Sequence, residues 1–226
     1  MCGRVSLKAT PPELREFTYR LNAKHVGDWY EQRWNIAPSS QVATIVQDDD
    51  MRYALARKWG FVWAYSRDPS SGHHIAKAET VATLKSFREA FKRRRCLVVV
   101  DGFYEWREHA DPKRTGQPFR IHLPTNEPFL LAGIWERWGD PMDPLETCAI
   151  ITTQAADWMF PIHYRMPLVI PASAVDAWLD PRTSIDAAQE IMTNNATAFS
   201  AYPVTKYVNS PRNEGPLCWA PDLAAV

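Results

Sequence analysis

The sequence predicts an α+β fold, a single domain over residues 1–226 built on a curved mixed or antiparallel β-sheet or barrel with peripheral helices. Strand-length apolar or alternating runs outnumber helical ones. They do not alternate with helices as β-α units would. No repeat, low-complexity tract or linker interrupts the 226 residues, of which 46% are hydrophobic, enough for a sizeable core in one domain.

The elements follow in order. Thr10-Pro11-Pro12-Glu13 reads as a helix start, with Thr10 as N-cap and proline in the first turn, and Leu14, Phe17 and Leu21 then share a face. Arg33 to Pro38 lacks a helical period and ends in proline, so a loop is expected there, leading to a short strand over Val42–Val46. Ser66 to His73, with Asp68-Pro69-Ser70-Ser71-Gly72, reads as exposed loop. From Leu84 the pattern is helical, with Leu84, Phe87 and Phe91 inward and Lys85, Arg88, Lys92 and Arg95 in a basic stripe. That stripe is either a solvated face or a phosphate-binding one. Strands are expected at Cys96–Val100, at Phe103–Arg107 after the Asp101-Gly102 turn, and at Phe119–Leu123, Phe129–Trp135, Cys148–Thr153, Pro167–Ile170 and Ala201–Val208. Short helices are expected at Ala172–Leu179 and from Thr183, read as a capping box with Asp186, to Thr193.

Composition excludes some functions and leaves others open. Lys+Arg and Asp+Glu are both 26, so any nucleic-acid surface must come from charge distribution rather than net charge. No apolar run approaches the roughly 18–20 residues of a membrane-spanning helix, and the N-terminus lacks a secretory apolar core. A cytoplasmic protein is expected. Cys2, Cys96, Cys148 and Cys218 lie far apart, without zinc-site spacing or a dense disulfide framework, so reduced thiols, no metal and no cofactor are expected. The ten tryptophans suit a core or a surface that stacks unpaired bases.

Four residues have the means for chemistry. The chain begins Met1-Cys2-Gly3-Arg4. Removal of Met1 would give Cys2 a free amine beside its thiol, a 1,2-aminothiol that converts an aldehyde to an imine and then closes sulfur onto it as a thiazolidine. A free α-amine has a pKa of about 7.7–8.0, so part of it is neutral and nucleophilic near neutral pH. In the plainer reading, Cys2 is just a small second residue. Glu105 alternates with Tyr104 and Trp106 in an apolar strand, where burial would raise its pKa toward a general-acid range, unless it is an edge residue or the partner of an arginine. His163 precedes a strand between apolar residues and could shuttle protons or simply hydrogen-bond its loop. Asn35 is either a turn former or a buried amide that holds a reacting group. An N-terminal nucleophile, a carboxylate, an imidazole and an amide are the parts that imine chemistry needs.

These residues sit in motifs that occur in order: Met-Cys-Gly-Arg, Trp34-Asn35-Ile36-Ala37-Pro38, Trp59-Gly60, Ala76-Lys77-Ala78-Glu79-Thr80, Phe87-Arg88 through Arg95-Cys96, Asp101-Gly102-Phe103-Tyr104-Glu105-Trp106 and His163-Tyr164-Arg165-Met166-Pro167. From residue 2 to about Gly215, the chain resembles the SOS-response-associated peptidase family, the abasic-site processing proteins. The resemblance implies that Cys2 captures the ring-opened aldehyde of an abasic site in single-stranded DNA as a thiazolidine. It assigns Asn35 as a positioning group, Glu105 as acid/base and His163 as a second acid/base that promotes sugar ring opening. It also implies a positively lined, aromatic-bearing channel for the strand, with Arg4, Trp63, Lys77, Arg165 and Thr152 or Thr153 as the candidate contacts.

Where the family usually has Asn-Ala-Arg, this chain has Ile75-Ala76-Lys77. An amide is lost and a forked guanidinium becomes a point charge, so strand contacts there are expected to be weaker or rearranged. The usual proline is replaced near Val62-Trp63, and a usual histidine is Tyr202. The expected partner is single-stranded DNA with abasic sites, bound by a monomer associated with the nucleoid when on DNA; replication or repair proteins are conceivable further partners. Two other readings stay open. One is an N-terminal-nucleophile cysteine peptidase that removes its own Met1, with lyase-type activity as an extra. The other is a non-covalent single-stranded DNA binder.

Overall fold

The computed structural model describes residues 2–25, 30–48, 50–108, 115–193 and 198–225. The elements are β1 (Val5–Leu7), α1 (Pro11–Arg20), β2 (Ala23–His25), β3 (Arg33–Ile36), β4 (Gln41–Asp48), β5 (Met51–Trp59), β6 (Ile75–Lys77), α2 (Arg88–Arg93) and β7 (Arg95–Val100). They continue with β8 (Gly102–Arg107), β9 (Gln117–His122), β10 (Phe129–Trp138), β11 (Leu145–Gln154), β12 (Arg165–Pro167), α3 (Val175–Leu179), α4 (Ile185–Thr193) and β13 (Ser200–Pro203).

The strands form two sheets, one of five strands in the order β13-β9-β8-β1-β3 and one of eight in which β12-β11-β10-β7-β4-β5-β2 run side by side and β6 pairs with β11. The larger sheet curls on itself. Beyond its antiparallel neighbours, β11 also pairs in parallel with β5, Thr147 opposite Lys58 and Cys148 opposite Trp59. That contact closes β5-β4-β7-β10-β11 into a barrel, with the wholly buried β7 in its wall. The fold is α+β on a mixed, curved sheet, as expected.

Local chemistry accounts for several elements. Thr10 N donates to Glu13 Oε2 at 2.7 Å and Glu13 N to Thr10 Oγ1 at 3.5 Å, a reciprocal capping box that starts α1. Continuous apolar runs gave β7, β10 and β11, buried on both faces within the barrel wall.

Other expectations need correction. Arg33–Ile36 is strand β3 rather than loop, because it pairs with β1 some thirty residues earlier, a non-local partner with no local signal. The helix expected from Leu84 is regular only over α2; turns precede it, and Leu84 is 45% exposed rather than inward. α4 is capped by Ser184, whose Oγ accepts from Ala187 N at 3.2 Å, not by Thr183. The strand expected over Ala201–Val208 stops at Pro203 and is followed by a 3-10 turn at Lys206–Asn209. β12 ends at Pro167, leaving Val169 as an isolated bridge to Leu131.

Candidate active site and trough

The start of the chain is placed by β1 and β8. Val5 lies opposite Phe103 and Ser6 opposite Gly102, and Tyr104 N donates to Arg4 O at 2.9 Å. Continuing this antiparallel register brings Cys2 alongside Glu105 and Trp106, and the Cys2 backbone N–H donates to the Glu105 carboxyl. Both residues are buried, with Cys2 at 0% and Glu105 at 1% exposure. Burial pushes the Glu105 carboxyl up to about 7, against the opposing pull of the Trp106 and Cys2 backbone N–H groups. Burial likewise raises the Cys2 thiol well above its ordinary value, and the Glu105 charge raises it further, so the sulfur stays protonated. Met1 lies outside the described residues.

Beside this pair, Arg4 and Asn35 form a strut. Arg4 Nη1 donates to Asn35 Oδ1 and to Val208 O, both at 2.7 Å, and its guanidinium sits 5.7 Å from the Trp106 ring centroid. Asn35 Nδ2 donates to Ser210 O at 2.9 Å and Asn213 O at 2.8 Å. Both amide hydrogens are thus committed to the 208–213 segment. The sequence reading offered Arg4 as a DNA contact, whereas its charge is turned onto protein carbonyls. Asn35 positions Arg4, and among the described residues its side chain meets Arg4 and the carbonyls of Val208, Ser210 and Asn213. Trp106 Nε1 donates to Asn209 Oδ1 at 2.8 Å and ties the same segment to β8.

His163 lies half-buried in the turn before β12. Its Nδ1 lies 3.0 Å from Arg165 N and 3.1 Å from Arg165 O, and Tyr164 stacks on the ring at 4.6 Å. Burial lowers its pKa from the usual value, so the imidazole is neutral at pH 7, and Glu108 at the end of β8 acts in the opposite sense. That coupling puts His163 within electrostatic reach of the end of β8, the strand that carries Glu105. Arg165 is 9% exposed; both its Nη atoms meet the Glu79 carboxylate, and Nη2 donates to Thr152 O at 2.8 Å. Its guanidinium is thus paired with that carboxylate. Thr152 is fully buried between β6 and β12 and supports Arg165, which removes it as a strand contact.

A trough runs across this side of the barrel. One hollow of about 440 Å³ is lined by Lys77, Gln154, Phe160, Tyr164 and Arg165. Lys77 continues into a second, of about 410 Å³, with His73, Ile75, Thr80, Leu84, Ser86 and Phe87. Leu84 and Ser86 continue into a third, of about 490 Å³, with Trp63, Tyr65 and Lys85. Ile75 and Lys77 share this lining because alternate residues of β6 face one way. Lys77 is exposed, and Trp63 stacks on His73 at 5.6 Å. Thr153 opens into a neighbouring hollow with Gln154. The sequence reading missed Phe160, Tyr164, His73 and Glu79; Tyr164 and Glu79 lay inside quoted motifs, whereas Phe160 and His73 carried no pattern.

A family model described as SOS response associated peptidase (SRAP) matches residues 1–211. The abasic site processing protein YoqW of Bacillus subtilis is 34% identical over 96% of this chain and 97% of that protein. The crystal structure of a phage-related protein from Bordetella bronchiseptica superposes with a TM-score of 0.76 at 30% identity, over 95% of this chain and 100% of that one. That of a Bacteroides thetaiotaomicron protein gives 0.77 at 22% identity, over 98% and 100%, and speaks for the fold.

Proposed function

The chain belongs to the SOS response associated peptidase (SRAP) family, and from that premise we propose that it captures abasic sites in single-stranded DNA covalently, through Cys2 with Met1 removed. The observation that carries this reading is the hydrogen bond from the Cys2 nitrogen to a buried Glu105 carboxyl whose pKa stands at about 7. The atom that would become the α-amine is already paired with a group able both to give and to take a proton near neutrality.

The neutral amine adds to the aldehyde carbon of the opened sugar and gives a carbinolamine. Glu105 protonates its hydroxyl, which leaves as water, and an iminium remains. The Cys2 sulfur then bonds to the iminium carbon, its proton passing to the Glu105 carboxylate. Aldehyde and aminothiol have become thiazolidine and water, and Glu105 is again protonated. A neutral thiol suits this order, since sulfur attacks only after nitrogen. It suits a peptidase poorly, because a thiolate is the usual nucleophile there. Neutral His163 would take up and return the proton of the sugar hydroxyl during ring opening. The trough, with Lys77 and the rings of Trp63, Phe160 and Tyr164, would hold the strand.

Processed protein mixed with an abasic single-stranded oligonucleotide should give an adduct that survives denaturation, with the summed mass less one water. Cys2→Ala should give none. Equal adduct from the alanine variant would overturn the proposal, and binding wholly reversed by salt and denaturant would favour a non-covalent binder.

A further inference from the structure

The basic stripe takes no part in the capture chemistry, and the fold sorts its cations. Arg95 is buried, with its guanidinium on the carbonyls of Phe91, Trp178 and Asp180. Arg94 pairs with Glu136 at 2.7 Å, and Arg93 faces Glu89 at 3.8 Å. Lys85, Arg88 and Lys92 remain, all exposed and without an acidic partner among the described residues.

These three succeed one another along one segment. Arg88 N donates to Leu84 O at 2.8 Å, so the turn that carries Lys85 leads directly into α2. Arg88 and Lys92, four apart on α2, then align. Lys85 also lines the last hollow of the trough, with Trp63, Leu84 and Tyr65, the tyrosine being 93% exposed. The stripe therefore begins where the trough ends.

We infer that Lys85, Arg88 and Lys92 form an accessory phosphate track for the single strand flanking the lesion, entered past an aromatic step at Trp63 and Tyr65. The inference rests on the proposed action on single-stranded DNA, but it concerns non-covalent grip on the strand away from Cys2. Three unpaired cations in a row complement a polyanion, and they continue from the trough at Lys85. A short strand fills only the trough, and a longer one also lies on the stripe.

The test uses undamaged oligothymidylates of 8 and 30 nucleotides, followed by fluorescence anisotropy over a salt series. For the 30-mer, K85Q/R88Q/K92Q should lower the slope of log K against log salt by about 2, from about 0.7 for each neutralised contact on a single strand. Affinity for the 30-mer at low salt should fall at least tenfold, and affinity for the 8-mer should hold. A control with K24Q/K206Q/R212Q removes the same charge elsewhere and should leave the slope in place. An unchanged slope in the stripe variant, or an equal loss in the control, would overturn the inference. Failure of the covalent reading is distinguishable, because it would appear as a missing abasic-site adduct while these slopes still differ.

Discussion

Glu79 and Arg165 hold each other through both guanidinium Nη atoms, Nη2 to Oε2 at 3.0 Å, and the same arginine's backbone N–H fixes the Nδ1 of His163. The hydrogen bonds from Arg165 hold the Glu79 carboxyl below the usual carboxylate range. Its contribution to stability is therefore present above the ordinary glutamate pKa and is lost as pH falls through the lowered value. Glu79→Ala should cost about 0.5–1 kcal/mol, the worth of an ion pair whose carboxylate is half exposed to solvent, as read by urea unfolding at pH 7. No difference between variant and parent at pH 7 would refute this.

Glu105 gives the opposite sign. Its raised pKa favours the neutral carboxyl in the folded state, so stability is greatest below the unfolded pKa and declines as pH climbs through about 7. Glu105→Gln, always neutral, should match the parent near pH 4 and exceed it by about 2–3 kcal/mol at pH 8. The same variant should slow adduct formation by about 10²–10⁴-fold, the range of general acid–base catalysis, and remove the fall in rate above pH 7.

His163→Ala should slow adduct formation while leaving the affinity for undamaged single strand within about twofold. Comparing single-turnover rates with equilibrium binding separates the two. Equal loss of both would mean that the histidine holds the turn rather than moves a proton.

Arg4→Ala and Asn35→Ala should act on the fold. Asn35→Ala leaves the carbonyls of Ser210 and Asn213 without their donor, at a cost of about 1–3 kcal/mol for each unsatisfied buried group. Thermal melts should fall for both variants, and the salt slope of DNA binding should be the same as in the parent. A reduced slope in the Arg4 variant would restore it as a phosphate contact.

What the sequence made legible was local. Apolar runs announced β7, β10 and β11, and Thr10 with Glu13 announced α1, because each signal lies within a few residues. β3 and β6 escaped, since three- and four-residue strands exist only through partners on β1 and β11. Cys2, Glu105 and His163 stood out as candidates through their chemistry and motifs, and the fold places Cys2 beside Glu105. The protein partners of Arg4, Arg165 and Thr152 escaped, because residue type does not reveal a partner such as the 208–213 carbonyls or Glu79. The basic stripe shows the same limit. Its cations look alike in sequence, and only packing reserves Arg94 and Arg95 for the fold.

The parallel contact between β5 and β11 also sets an order of events during synthesis. Residues 2–107 carry both Cys2 and Glu105, so a chain emerging from the ribosome displays these two residues early. The walls of the trough come later, because β6 and β12 both lean on β11, whose last residue is Gln154. Until that strand is made, the barrel has no seam to close and the trough has no frame. A nascent chain would thus hold Cys2 and Glu105 before it has the surface proposed to grip a strand.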